Sequence, residues 1–239
     1  MACPPRTVAG SDVIPMSKKR HRPPQARARI VDRINLAISI GRYLEGIWIG
    51  SWRGRPEDLT RVEDALLLIK QHSPLDYVRI ARGLERIWVS LTFHGLGEYD
   101  HSLKACILDE RYVNDPATTV EQIASTIVHE ATHARLERYG IEYEEPRRVK
   151  IEAICCRREL AFAVRLPGSA ELQQDIARCL EWYQTNPEQF RDARFEEAHT
   201  VGGIEALRYL GTPDWIIRAI SVSMPIIGRA RRLFRFEQR

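Results

Sequence analysis

The sequence predicts a mostly helical α+β protein, and three features of its 239 residues support this fold class. Apolar residues recur at spacings of three and four in several segments, which is the periodicity of amphipathic helices. Two short runs, residues 86–93 and 105–108, are rich in β-branched, aliphatic and aromatic side chains and predict strands. An apolar fraction of 44% with 28% charged residues is typical of a globule with a sizeable core.

The segment before the first predicted strand is expected to be helical. Between residues 30 and 50, one helical face is shared by Ile30, Ile34, Ala37, Ile38 and Gly41. A second helix is expected over 57–72, because Pro56 and Pro74 bound it, and a third over 75–85. Residues 1–29 contain two proline pairs and a basic run at 18–22, and they predict a disordered arm.

The strongest helix signal lies between residues 118 and 140. Thr118 and Glu121 fit a capping box, which predicts a helix start near Thr119. Gly140 fits the residue just beyond the end of the helix. One face of the segment carries an apolar stripe made of Ile123, Ile127, Ala131 and Ala134.

This helix carries the motif His129-Glu130-Ala131-Thr132-His133, which is an H-E-x-x-H pattern. Two histidines four residues apart project from the same helical face, so one Zn²⁺ ion can take a nitrogen from each ring. Glu130 follows the first histidine and can reach a water molecule on the ion as general base. Both histidines lie outside the apolar stripe, so the core can hold one face of the helix while they look into a cleft.

A tetrahedral catalytic zinc site needs a third protein ligand. The pattern H-E-x-x-H-x-x-G-x-x-H is absent, because Leu136 and Tyr139 stand where glycine and histidine are needed. We take Glu152 as the third ligand, since it follows His133 by nineteen residues in a segment that Pro146 can open as a helix. The alternatives that stay open are Glu142, Glu144, Glu145 and His199.

Together, His129, Glu130, His133 and the Glu152-Ala153 dipeptide resemble the gluzincins, the thermolysin-like class of zinc metallopeptidases. The resemblance covers residues 86–165 and points to no single family within the class. It implies a zincin-like core in which a small antiparallel sheet precedes the motif helix and a glutamate helix. It also implies three zinc ligands (His129, His133 and Glu152), Glu130 as the base, and a peptide or protein substrate. Residues 104–109 would be the edge strand that pairs with the substrate, with an ordinary core hairpin as the alternative.

One position departs from the pattern of many relatives in that class. They have an aspartate four residues after the ligand glutamate, hydrogen-bonded to a ligand histidine, and this chain has Cys156 there. Because such carboxylates orient ligand imidazoles, three alternatives stay open: Glu159 serves, a backbone carbonyl serves, or the site is weaker. A peptidase also needs a donor for the developing oxyanion, and the candidates are Tyr143, Tyr183 and His199.

The net charge of +4 is unevenly distributed along the chain. Residues 1–33 carry +6 and residues 226–239 carry +4, which leaves −6 for residues 34–225. This distribution argues against a nucleic-acid-binding body and leaves only the basic ends for such a role.

The five cysteines are irregularly spaced without a C-x-x-C pair, so we expect a reducing, cytoplasmic location. No apolar run is long enough to predict a transmembrane segment.

We divide the chain into four parts: a basic arm (1–29), an N-terminal helical segment (30–85), a gluzincin-like catalytic core (86–165) and a C-terminal helical segment (166–239). In the last part, a helix is expected over 170–185, with later stops at Gly202-Gly203, Pro213 and Pro225. The predicted function is zinc-dependent peptide hydrolysis. The alternative is a non-catalytic zinc-binding module that engages a partner protein, which Cys156 favours and Glu130 argues against.

Overall fold

The computed structural model describes residues 30–93 and 95–220. The predicted arm at residues 1–29 and the predicted stop at Pro225 lie outside the described residues. The described part is mostly helical and contains a five-stranded sheet, so the predicted α+β class is confirmed. Among these residues, no helix combines the length and the apolarity that crossing a membrane requires.

The helices are α1 (Ile30–Ile38), α2 (Pro56–His72), α3 (Pro74–Gly83), α4 (Glu110–Asn114), α5 (Val120–Arg138), α6 (Arg148–Ala163), α7 (Ala170–Thr185) and α8 (Asp192–Tyr209). Short 3-10 turns lie at Glu145–Arg147 and Pro187–Phe190, and residues 214–220 are again helical. The strands are β1 (Ile40–Leu44), β2 (Ile47–Ser51), β3 (Arg86–Ser90), β4 (Gly97–Asp100) and β5 (Ala105–Asp109). The helices predicted at 57–72, 75–85 and 170–185 are therefore confirmed as α2, α3 and α7.

The sheet has the strand order β1-β2-β3-β5-β4 and is mixed. Strands β1 and β2 pair antiparallel, as do β4 and β5, whereas β2–β3 and β3–β5 are parallel pairs. The expectation of a small antiparallel sheet is therefore wrong. The parallel β2–β3 pair arises because α2 and α3 form a crossover between the two strands, as a parallel connection requires.

Residues 40–51 form a β-hairpin. The apolar spacing predicted that the first helix continues to Gly50, and that part of the prediction is wrong. Helix α1 ends at Ile38, and the hairpin turns at Glu45 and Gly46, whose φ angles are 48° and 91°. Positive φ at both turn residues defines the type I′ turn that suits two-residue hairpins. In β2, buried isoleucines at 47 and 49 flank a half-buried Trp48, which is the alternation of a strand.

The predicted motif helix is confirmed as α5, with one change at its start. Thr119 and Gln122 form the capping box, one residue later than the predicted pair, so the helix begins at Val120. Gly140 has a φ of 75° just beyond the C-cap residue Tyr139, as predicted. All four residues of the apolar stripe lie buried in the main core, where α5 packs against α2, α3 and the sheet.

Helix α8 runs through Gly202 and Gly203, so the predicted stop there is wrong. A Cβ atom at Gly202 would lie 1.8 Å from the carbonyl oxygen of Phe93. Glycine at this position therefore allows α8 to rest directly on the loop after β3. The pair is explained by this close approach and not by a helix end.

Candidate metal centre

Helix α5 brings both motif histidines to one pocket. The ring centroids of His129 and His133 lie 5.2 Å apart, and the two side chains are only 12% and 15% exposed. The apolar stripe on α5 packs into the core, which fixes the rotation of the helix about its axis. Helix α6 packs beside α5 and supplies two carboxylates to the same pocket.

Glu152 on α6 reaches both histidines with its two carboxylate oxygens. Its Oε2 atom lies 3.2 Å from His129 Nε2, and its Oε1 atom lies 3.5 Å from His133 Nε2. The residue is buried. The structure thus brings together the three predicted ligands, which come from two neighbouring helices.

The other residues considered as third ligand lie elsewhere. Glu142, Glu144 and Glu145 are exposed, and Glu145 accepts a hydrogen bond from the backbone N–H of Asp192. The His199 ring packs edge-on against Phe93, with 5.1 Å between the centroids. Within the described residues, the tight groups of possible ligand atoms that contain His129 include neither His199 nor Glu152, whose two oxygens each lie near a different histidine.

Glu159 supplies the carboxylate that contacts a predicted ligand histidine. The usual pattern has an aspartate for this purpose at the position of Cys156. The Oε2 atom of Glu159 lies 3.0 Å from His129 Nδ1, and Ser125 donates a hydrogen bond to Oε1 at 2.9 Å. Glu159 follows Glu152 by seven residues, close to two helical turns, so both carboxylates project from the same face of α6. His129 is therefore held between two acids, with Nδ1 donating to Glu159 and Nε2 facing Glu152.

Replacing Glu159 with glutamine should weaken zinc binding by about 10- to 100-fold, as the loss of a partner behind a ligand histidine typically does. The amide holds the His129 ring less firmly because its oxygen is a weaker acceptor than a carboxylate. Competition against a chromophoric chelator measures the affinity, and Glu171→Gln, at an exposed position on α7, is the matched control. An affinity for Glu159→Gln equal to that of the control would show that Glu159 does not orient the ring.

Burial and the neighbouring acids shift the protonation of the pocket. Burial alone would lower the pKa of His129, but hydrogen bonds to Glu152 and Glu159 raise it well above its ordinary value. Burial would raise the pKa of Glu152, but hydrogen bonds from both histidines hold it well below its usual range. Burial raises the pKa of Glu130, which is only 6% exposed. The pocket thus contains Glu152, which is held ionised, beside Glu130, whose pKa is raised.

Of the three candidate oxyanion donors, Tyr143 is in hydrogen-bonding contact with a predicted ligand. Its hydroxyl donates to Glu152 Oε1 at 2.6 Å, and its ring lies edge-on to His133 with 5.4 Å between centroids. Burial of the hydroxyl and the charge of Glu152 raise the pKa of Tyr143, so the phenol stays protonated and able to donate. Tyr183 is hydrogen-bonded to Cys179 on α7.

Cys155 offers another donor beside the histidine pair. Its Sγ atom and one nitrogen from each of His129 and His133 all lie within 4.8 Å of one another. Burial and the nearby carboxylates raise the pKa of the Cys155 thiol well above its ordinary value, whereas Glu152 is held ionised. A bound zinc ion deprotonates a coordinating thiol, so the raised pKa does not exclude Cys155. We prefer Glu152 for the third position because its two oxygens face both Nε2 atoms, at 3.2 and 3.5 Å.

Strand β4 forms the sheet edge beside the motif helix. Strand β5 lies between β3 and β4, so the expectation that residues 104–109 form an edge is wrong. The glycines at 95 and 97 made the region of β4 resemble a turn, so the sequence did not predict β4 as a strand. Without β4, the second neighbour of β5 in the sheet could not be predicted. Strand β4 packs against α5, where a Cβ atom at Gly97 would lie 3.0 Å from Thr126 Cγ2.

Helix α8 contacts two segments that flank this region. At its start, Asp192 pairs with Arg148 at 2.6 Å, and the Phe195 ring lies 5.0 Å from the Arg148 guanidinium. The same guanidinium lies 5.5 Å from the centroid of the Tyr143 ring. Further along α8, Gly202 rests on the loop after β3. The helix therefore joins the segment that supplies Tyr143 to the loop that leads into β4.

Comparisons of the chain with protein-family models, with curated proteins and with solved structures gave no match. The gluzincin resemblance therefore stays a prediction that depends on the motif and on Glu152.

Proposed function

We propose that this protein is a zinc-dependent peptidase, in which His129, His133 and Glu152 hold the ion and Glu130 is the general base. One observation supports the proposal above all. Two imidazole Nε2 atoms face the two oxygens of one carboxylate, at 3.2 and 3.5 Å, and all three side chains are largely buried. Glu130 belongs to the same pocket and interacts electrostatically with both histidines and with Glu152.

The residues of the pocket fit a zinc ion. Two imidazoles and one carboxylate are a ligand set of catalytic zinc sites, which leave the fourth position to water. In the described part of the chain, the ion-pair partners of Glu152 and Glu159 are histidines only. A divalent cation would offset the negative charge that these two acids and Glu130 bring together. When bound, zinc would polarise the scissile carbonyl and make an attacking water more acidic.

Three groups of the chain have defined roles in the proposed hydrolysis. Glu130 accepts a proton from the attacking water, and its raised pKa makes it a better base than an exposed glutamate. The Tyr143 hydroxyl, which donates to the Glu152 carboxylate in the structure, would turn from it and donate to the oxyanion that develops on the substrate. Strand β4, the last strand of the sheet in the described part of the chain, would offer backbone hydrogen bonds to an extended peptide.

The experiment that tests the proposal is digestion of a peptide library by the full-length protein, with products identified by mass spectrometry. Removal of metal with 1,10-phenanthroline should reduce hydrolysis to background, and one equivalent of Zn²⁺ should restore it. Mg²⁺ is the matched control and should not restore activity, because it prefers an all-oxygen octahedral shell. Hydrolysis that continues in the metal-free protein would contradict the proposal.

A non-catalytic zinc-binding module that engages a partner protein is the second candidate, and the position of Cys155 favours it. If Cys155 joined the three proposed ligands, four protein groups would close the shell, as they do in structural zinc sites. Glu130 argues against this reading, because a structural site needs no base. Tight zinc binding by a protein that cleaves no peptide in the library would favour the module.

A further inference from the structure

Two cysteines meet where α6 packs against α7, beside the candidate metal centre. Cys156 is 1% exposed and shares an apolar cluster with Cys179, which is partly exposed. The two side chains are hydrogen-bonded to each other, and Tyr183 is hydrogen-bonded to Cys179 as well. All four cysteines of the described residues are free thiols. Of these four, Cys156 and Cys179 form a pair in contact.

The surroundings of Cys179 stabilise its thiolate. The thiol of Cys156 and the hydroxyl of Tyr183 both donate hydrogen bonds to the Cys179 sulfur, and these lower the pKa of Cys179. Burial raises the pKa of the thiols of Cys106 and Cys155, so neither offers a thiolate. A partly exposed thiolate with a second thiol in contact is the arrangement found in redox-active cysteine pairs.

We propose that Cys179 and Cys156 form an oxidation site that reacts with hydroperoxides and closes to a disulfide between α7 and α6. The Cys179 thiolate attacks one peroxide oxygen, the O–O bond breaks, and hydroxide leaves as Cys179 becomes a sulfenic acid. The Cys156 sulfur then attacks the Cys179 sulfur, the S–O bond breaks, and water leaves with the proton of Cys156. Overall, two thiols and one H₂O₂ give one disulfide and two water molecules.

The bond would link α7 to the helix that carries both carboxylates of the pocket. The Cys156 sulfur lies within 4.8 Å of ligand atoms of His129 and Glu159. Oxidation would therefore fix α6 at a point between Glu152 and Glu159. The proposal concerns the thiols alone, and it does not depend on the protein being a peptidase.

The test uses the full-length protein with Cys3 replaced by serine, because Cys3 lies outside the described residues. The reduced protein is exposed to a small excess of H₂O₂, alkylated at intervals and digested for mass spectrometry. We expect a peptide pair joined between Cys156 and Cys179, formed at least about tenfold faster than any oxidation of Cys106 or Cys155. A folded protein in which the pair never joins, or in which Cys106 or Cys155 reacts as fast, would overturn the proposal.

Two single variants separate the roles of the two thiols. In Cys156→Ser the hydroxyl still donates to Cys179, so Cys179 should react and stop at the sulfenic acid, which dimedone labels. In Cys179→Ser the Cys156 thiol should stay reduced over the same exposure. Circular dichroism confirms that each variant is folded. Equal oxidation of Cys156 with and without Cys179 would show that the two residues do not act as a pair.

Discussion

The Glu130→Gln variant should bind zinc as wild type does and lose hydrolysis by about 100- to 10,000-fold, the range that general acid–base groups contribute. Glutamine preserves the shape of the side chain but cannot accept a proton from water. The residue is nearly fully buried, and burial raises its pKa, which makes its carboxylate a stronger base than that of an exposed glutamate. The loss should appear in kcat, measured on a peptide chosen from the library digestion.

The matched control is Glu137→Gln, seven residues further along α5, where the glutamate pairs with His101. This variant should keep both zinc and activity, because Glu137 does not belong to the pocket. Zinc content is measured on the same samples, so loss of the metal cannot be mistaken for loss of the base. Full activity in a zinc-loaded Glu130→Gln protein would remove Glu130 from the assigned role.

The second large effect is expected in metal content. Elemental analysis should find one zinc per chain in the wild-type protein and almost none in His133→Ala or Glu152→Ala. Each of these changes removes a zinc ligand. The loss of zinc affinity should therefore exceed the about 10- to 100-fold expected when Glu159, the partner of a ligand histidine, is replaced. Folding is checked by thermal unfolding of each variant without metal.

Cys155→Ser is the comparison that decides between the two candidate functions. For the peptidase, this variant should keep its zinc, because three ligands remain and water takes the fourth place. Loss of zinc in both Cys155→Ser and Glu152→Ala would indicate a closed shell of four protein ligands and favour the non-catalytic module. Zinc retained in Glu152→Ala but lost in Cys155→Ser would remove Glu152 from the ligand set.

The pocket was largely predictable because its signals are local. Helical periodicity and the caps located α5, and the four-residue spacing placed His129 and His133 on one face. Glu159 was named only as one alternative, although its seven-residue distance from Glu152 repeats the helical period and points both side chains the same way. Whether Cys155 approaches the histidines depends on how α6 is rotated against α5, and no spacing within one helix determines that rotation.

The sheet was less predictable because strand pairing joins distant residues. The spacing of Ile30, Ile34 and Ile38 correctly marks α1, but the same apolar composition continues into the hairpin, where only the Glu45-Gly46 turn separates the strands. Strand β4 is four residues long and begins at a glycine, so it has little sequence signal. The order of β3, β5 and β4 follows from contacts across the sheet, and without that order β5 was mistaken for the edge.

The parallel pairing of β2 with β3 crosses the predicted boundary between residues 85 and 86. A truncated protein that started at residue 86 would leave one side of β3 without hydrogen-bond partners, and an unpaired strand of this kind recruits other chains. It would also strip α2 and α3 from the core face that α5 shares with them. The smallest fragment worth expressing for work on the pocket therefore keeps the hairpin that starts at Ile40, even though no pocket residue comes from it.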